Sequence, residues 1–217
     1  MKKEQVSVII PAFNEEKYII PTLRSIKRQS HKKIESIVVC NGCTDKTFQI
    51  SIPHADKVLK IKEPNVSKAR NLGAKVANGS TLIFLDADTL LTKDTVKEIL
   101  AANAHIGTCK AKPDINKFMA KFFIWFKNRF WWLSWSNGVI FCKKDIFEKI
   151  EGFNETMKKR EDSNFIKRAK KHGKYKLAKT HVIGSMRRHE KWGYLKTINF
   201  WVKEACSPSK DDYEPIR

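Results

Sequence analysis

Three apolar runs, separated by stretches with helical patterning, restrict the possible fold of this chain most. "VSVIIPAF" (6–13), "IESIVVC" (34–40) and "TLIFL" (81–85) are rich in β-branched and apolar residues, with little polar alternation. A strand of that kind is buried on both faces. "ADKVLKI" (55–61) reads as a further strand. Between them, "EEKYIIPTLRSIKRQS" has apolar residues at helical spacing, with Pro21 expected to bend or delay the helix. "TDKTFQIS" predicts a short helix with Thr44 or Asp45 as N-cap, and "SKARNLGAKVAN" (67–78) a helix capped by Ser67 and stopped at Asn78-Gly79. Strands buried on both faces and alternating with helices imply a Rossmann-like α/β fold, a mostly parallel sheet flanked by helices. Such sheets bind ligands beyond the carboxyl ends of their strands.

The pattern loosens after residue 92. "TKDTVKEILAAN" predicts a helix, "IGTCKAK" (106–112) and "NGVIFCK" (137–143) strands, "KDIFEKI" a short helix, and "EDSNFIKRAKKHG" (161–173) a basic helix ending at Gly173. There is no internal repeat or low-complexity linker, so a single domain over 1–217 is expected.

Charge narrows the partner. The 43 Lys+Arg against 23 Asp+Glu give a net charge of +20, which suits an anionic partner: nucleic acid, nucleotide or acidic lipid. "MKKEQVSVIIPAFNEE" turns polar after a short apolar run, so no export signal is expected. Five cysteines, an odd number, fit reduced thiols and a cytoplasmic setting. "CNGC" (40–43) has no second C-x-x-C to complete a zinc site.

The chemistry concentrates where "TLIFL" runs into "DAD". Residues two apart in an extended segment share a side, so Asp86 and Asp88 can reach one ion. Carboxylates without Cys or clustered His suit a hard cation, Mn²⁺ or Mg²⁺, which completes its shell with phosphates and water. The structural alternative is that Asp86 ends the strand and Asp88 caps the helix near Thr92. Other loops fall at the same edge: "PAFNEE" (11–16), "CNGCTD" (40–45) and "NVSKARN" (65–71), whose Lys68 and Arg70 at a helix start would attract a diphosphate. Neither G-x-G-x-x-G nor a P-loop motif is present.

"VSVIIPAFNEEKYIIPTLRSI", "VVCNGCTDKT", "VSKARNLGAKVANGSTLIFLDADTLL" and "GFNETMKKREDSNFIKRAKKHG", in that order, resemble the family 2 glycosyltransferases of the A-type nucleotide-sugar fold, over roughly residues 5–175. The resemblance implies a nucleotide-sugar-binding half at 5–110, an acceptor and catalytic half at 111–185, and a C-terminal loop and amphipathic helix at 186–217. It implies that Pro11, Ala12, Phe13, Glu15 and Asn41 hold the nucleoside. Arg70 would lie near the base or diphosphate, and Asp88 would bind the metal. Asp86, with Ala87 between, would meet the ribose or a metal-bound water. Asp162 would be the catalytic base with Glu161 beside it; an N-terminal helix cap is the structural alternative for this acidic pair. The implied reaction is a single displacement in which Asp162 takes the acceptor proton. Lys68, Arg70, Arg187 and Arg188 would offset charge on the leaving diphosphate.

Where the family commonly has an Asp pair this chain has Cys40-Asn41. An amide can accept from uracil N3–H and donate to O4, which favours a UDP-sugar donor. "GSMRRHEKWGYLKTINFWVKEA" (184–205) sets two arginines and a histidine before an amphipathic helix, with His189 the candidate extra metal ligand ahead of His181. The stretch 118–135 carries Trp125, Trp131, Trp132 and Trp135, interleaved with Lys121, Lys127 and Arg129. Too short to span a bilayer, it suits peripheral contact with the inner face of the cell membrane, together with the C-terminal helix. A core-packing helix or a sugar-stacking wall is the alternative. A lipid-linked or cell-envelope polysaccharide hydroxyl would suit as acceptor. A nucleic-acid-binding domain without catalysis would leave the acids idle, so no nucleic acid is expected. A sugar nucleotidyltransferase would want a glycine- and base-rich loop where "PAFNEEKY" stands.

Overall fold

A computed structural model describes residues 4–134, 136–194, 196 and 197. Its strands are β1 (Val6–Ala12), β2 (Ile34–Asn41), β3 (Lys57–Ile61), β4 (Thr81–Leu85), β5 (Thr89–Leu91), β6 (Ile106–Pro113), β7 (Val139–Lys143) and β8 (Tyr175–Gly184). Its helices are α1 (Ile19–Lys27), α2 (Thr47–Ser51), α3 (Val66–Lys75), α4 (Thr95–Ala101), α5 (Phe118–Arg129), α6 (Lys144–Lys149), α7 (Glu161–Ala169) and α8 (Arg187–Trp192).

The strands form one sheet in the order β3-β2-β1-β4-β7-β6-β8-β5. The apolar runs account for its first half: β3, β2, β1 and β4 are parallel, so their carboxyl ends share one edge. Alternation along β1 feeds both faces. Val6, Val8 and Ile10 join a core built with Leu23 of α1, Ile99 of α4 and Phe123 of α5. Ile9 joins the opposite core with Ala69 of α3, Phe147 of α6 and Phe165 of α7. Pro11 is tolerated in this central strand because the β1–β4 pairing ends at Ile9.

The second half departs from the parallel expectation. Strand β7 runs against both β4 and β6, and β5 against β8, while β6 and β8 are parallel. Only Asp86, Ala87 and Asp88 separate β4 from β5, yet four ladder steps lie between those strands in the sheet. Laid flat, four steps would be about 19 Å at ~4.8 Å each, whereas the span from Leu85 to Thr89 is at most ~14 Å. The sheet therefore curls, and the D-x-D turn closes the curl. The Thr89 N–H donates to the Asp86 carbonyl at 3.1 Å, which makes that turn tight.

Several helix boundaries shift from expectation. Asn65 caps α3, its side chain accepting from the Lys68 N–H at 2.9 Å, whereas Ser67 lies buried inside the first turn. Lys46 occupies the cap position of α2, and the Asp45 carboxylate takes the Thr47 N–H at 2.9 Å. Helix α3 stops at Lys75 and α7 at Ala169, earlier than Asn78 and Gly173. Arg187, Arg188 and His189 lie within α8 rather than ahead of it. Trp135, Cys206 and the expected C-terminal helix beyond residue 197 lie outside the described residues.

Candidate active site

At the carboxyl edge the first two loops are laced together. Asn14 adopts φ 55°, and its side-chain oxygen accepts from the Thr44 N–H at 2.8 Å. The Glu16 N–H donates to Asp45, and the Glu15 N–H to Thr47 Oγ1 at 2.7 Å. Pro11 and Ala12 finish β1 beside them; Cys43 Sγ donates to the Ala12 carbonyl, and Phe13 is half-buried. Asn41 does not offer its amide oxygen solely to a base: Oδ1 accepts from the Asn65 N–H at 2.5 Å, tying β2 to the cap of α3. That contact competes with the expected uracil pairing.

Arg70 is the hub. Its side chain projects from α3 and is 5% exposed. It donates to Asp162 Oδ1 at 2.6 Å and to Glu161 Oε1 at 3.3 Å, and lies 3.5 Å from Asp86 Oδ1. Burial works against its charge, but Asp162, Glu161 and Asp86 more than offset that and raise its pKa. Its guanidinium also sits 5.0 Å from the Phe153 ring. Phe153 stacks on Phe165 at 4.0 Å and meets Phe84 edge-on at 4.9 Å, so one aromatic cluster fixes β4, which leads to Asp86, against α7, which carries Asp162.

Glu161 and Asp162 occupy the first turn of α7, entered through Arg160 at φ 59°. The helix N-terminus favours acids there. Burial nevertheless pushes both carboxyls up, Glu161 further through the charge of Asp162, while Arg70 pulls both down. The Ser136 hydroxyl also hydrogen-bonds Asp162.

The D-x-D turn is held from several sides. The Asp86 N–H donates to the Gly138 carbonyl at 2.9 Å, and Thr22 Oγ1 donates to the Ala87 carbonyl at 2.8 Å. Gly138 has φ +83°, and a Cβ there would meet Thr89 Oγ1 at 2.5 Å, so only glycine brings β7 this close to Asp86. Burial and the charge of Asp86 raise the Asp88 carboxyl to about 6, although Arg187 and Arg188 pull the other way. Arg187 Nη2 lies 3.0 Å from Asp88 Oδ2 and 2.6 Å from Glu15 Oε1, with its guanidinium over the Tyr18 ring at 4.2 Å. Two carboxylates on one turn are the hard oxygen donors that suit a divalent cation, although Arg187 and Arg70 already face them.

The rest of the expected set is more scattered. Lys68 is exposed on the first turn of α3. The His189 ring packs on Phe123 at 4.3 Å, and its buried Nδ1 has no hydrogen-bond partner. Burial, with Lys127 and Arg188 nearby, lowers its pKa to about 3, so the ring is neutral. Among the described residues no three His, Cys, Asp or Glu side chains converge on one ion, so His189 does not complete a set with Asp86 and Asp88. Lys127 was not expected at the site; its charge acts on Asp86 and Asp162 from the inner face of α5.

The sequence model described as glycosyl transferase family 2 matches residues 7–178. The chain belongs to that family. Among curated relatives, it is 37% identical over 103 residues to the poly(ribitol-phosphate) beta-N-acetylglucosaminyltransferase TarS of Staphylococcus aureus, covering 44% of this chain and 18% of that protein. It is 33% identical over 101 residues to the glycosyltransferase GlyA of Streptococcus pneumoniae, covering 44% and 14%. The chain thus matches less than a fifth of either relative's length. The structure of TarS residues 1–349 with UDP-GlcNAc superposes with a TM-score of 0.68 at 22% identity, over 83% of this chain and 58% of that one. The mannosyltransferase PcManGT of Pyrobaculum calidifontis, in complex with GDP-Man and Mn²⁺, gives 0.71 at 18% identity, over 99% and 67%. The fold is that of the A-type glycosyltransferases.

Proposed function

We propose that this chain is an inverting glycosyltransferase that moves a sugar from a nucleoside-diphosphate donor, a UDP-sugar, to a hydroxyl acceptor on a lipid-linked or polysaccharide substrate. The observation that carries the reading is the convergence of Asp162, Glu161 and Asp86 on the buried Arg70 at the carboxyl edge of the sheet. A base, a cation and a donor-side carboxylate then lie within one side chain's reach.

Asp162 accepts the proton of the acceptor hydroxyl as that oxygen attacks the anomeric carbon. Its burial raises its basicity, which suits a general base near neutral pH. Displacement from the face opposite the leaving diphosphate inverts the anomeric centre. Arg187 and Arg188 act on the charge around Asp88 and would turn to the diphosphate as it leaves. Asp86 and Asp88 would hold Mn²⁺ or Mg²⁺, whose charge stabilises the departing diphosphate. Support for UDP comes from the likeness to TarS, whose structure holds UDP-GlcNAc, rather than from Asn41, whose oxygen is engaged by Asn65.

Calorimetric titration with UDP and with GDP, each with and without Mn²⁺, on wild type and Asp88→Ala tests the reading. Manganese-dependent UDP binding that is lost in the variant supports it. Tight GDP binding would change the donor and keep the enzyme class. Binding of neither nucleotide would remove the reading's basis.

A further inference from the structure

Helix α5 has two unlike faces. Ala120, Phe123 and Ile124 are buried in the core, and Lys127 shares their side. Phe118, Phe122 and Trp125 lie on the opposite side at helical spacing, 80%, 47% and 62% exposed. Trp132, in the 3₁₀ turn that follows α5, is 55% exposed. Large apolar side chains this exposed and contiguous mark a contact surface.

The charges around the stripe are mainly positive, an exception being Glu190 of α8, which pairs with Lys117 just ahead of Phe118. Lys121 and Arg129 are exposed on α5, and Lys110 and Lys112 are exposed on the neighbouring β6. Over residues 110–134 the only acid is Asp114, against six Lys and Arg. A second copy of the chain on this face would bring Lys121 and Arg129 of both copies together, so like charges oppose self-association. Single-stranded nucleic acid would need ring faces turned outward for stacking. Here the rings are turned towards one another, Phe118 and Phe122 stacking at 6.5 Å and Phe122 and Trp125 at 5.9 Å. At 12 residues the helix is about 18 Å long, well short of a bilayer core of roughly 30 Å, so it can only lie in the plane of a membrane.

We propose that the exposed face of α5, Phe118, Phe122 and Trp125 flanked by Lys121 and Arg129, docks the protein on an anionic lipid surface. The aromatic edge enters the headgroup region while the cations meet lipid phosphates, the pattern of an interfacial helix. Lys127 on the same helix acts on Asp86 and Asp162, so docking would set the acidic centre beside the bilayer. The inference does not need the glycosyltransferase reading, because it concerns binding in the absence of nucleotide.

The test is flotation of the full chain with vesicles of phosphatidylcholine, with and without phosphatidylglycerol, at low and high salt. The wild type is expected to float with phosphatidylglycerol vesicles, less so at high salt, and poorly with phosphatidylcholine alone. Phe118→Ser with Trp125→Ser should lower binding at least about tenfold at low salt. Lys121→Glu with Arg129→Glu should lower it by roughly fivefold or more per position. Circular dichroism and UDP titration of each variant confirm that fold and nucleotide site are intact. Anionic-vesicle binding untouched by the aromatic variant would mean diffuse adsorption of a basic protein and overturn the inference. So would failure of wild type to float, and so would sedimentation showing a dimer that the aromatic variant dissolves. Loss of UDP binding in wild type would count against the functional reading alone.

Discussion

Arg70 and Asp162 meet at 2.6 Å although they are 92 positions apart and sit on different helices, α3 and α7. The residue expected to greet the donor diphosphate is bound to the residue expected to deprotonate the acceptor. Under the proposed reading, one buried ion pair would join the donor and acceptor sides of the site.

Arg70→Met should unfold the protein more readily. It leaves Asp162, Glu161 and Asp86 without their shared cation, and breaking a buried pair from one side costs about 3 kcal/mol. Thermal melting at pH 7 should show the loss, and melting at pH 5 a smaller one, because protonating the stranded acids relieves it.

Asp162→Asn keeps the shape of the side chain and removes the proposed base. Turnover should fall by roughly 10²- to 10⁴-fold. UDP affinity measured by calorimetry should stay within a few-fold of wild type, and a parallel collapse of binding would indicate that Asp162 organises the donor site instead.

Asp88 makes stability and binding run in opposite directions with pH. Its carboxyl titrates near 6 in the fold, against 3.8 ordinarily, so the folded state holds the proton more tightly than the unfolded one. Between those values stability contributed by Asp88 falls as pH rises. Asp88→Asn should thus raise the melting temperature at pH 7, by an amount worth on the order of 3 kcal/mol at most, and change little below pH 4. Manganese-dependent UDP binding to the wild type should instead strengthen as pH rises through about 6, since only the carboxylate can ligate.

Gly138→Ala should displace the D-x-D turn. It forces a side chain into φ +83° and against Thr89 Oγ1, which costs about 1–3 kcal/mol. The signature to seek is a UDP affinity that drops further than the melting temperature explains.

The first half of the sheet was legible because β1, β2 and β4 are apolar on both faces. Strand β8 carries no such signal: Lys176 and Lys179 are exposed in it, and most of its residues are only partly buried. Strand β5 is three residues long, too short for any periodicity to show. The acids of the site could be placed by motif, since Asp86, Asp88, Glu161 and Asp162 all follow recognisable runs. What they touch could not be. Pairing between residues 92 positions apart leaves no local trace, so the sequence points Arg70 to the base or diphosphate and not to Asp162. Asn14 and Gly138 matter through a positive φ, a signal that Asn-Glu and Asn-Gly dipeptides carry only weakly. Lys127 escaped notice because one charge on an aromatic helix does not reveal which face it takes.

The tight turn from Asp86 to Thr89 is anchored at both ends, by β4 on β7 and by β5 on β8. An inserted residue would have to slip one of those ladders, and a slip of one residue turns every side chain of a strand to the wrong face. The pair of carboxylates is thus a fixed span that cannot lengthen. Under the proposed reading, fitting a different donor would fall instead on segments such as the connection from β8 into α8, which brings Arg187 to Asp88.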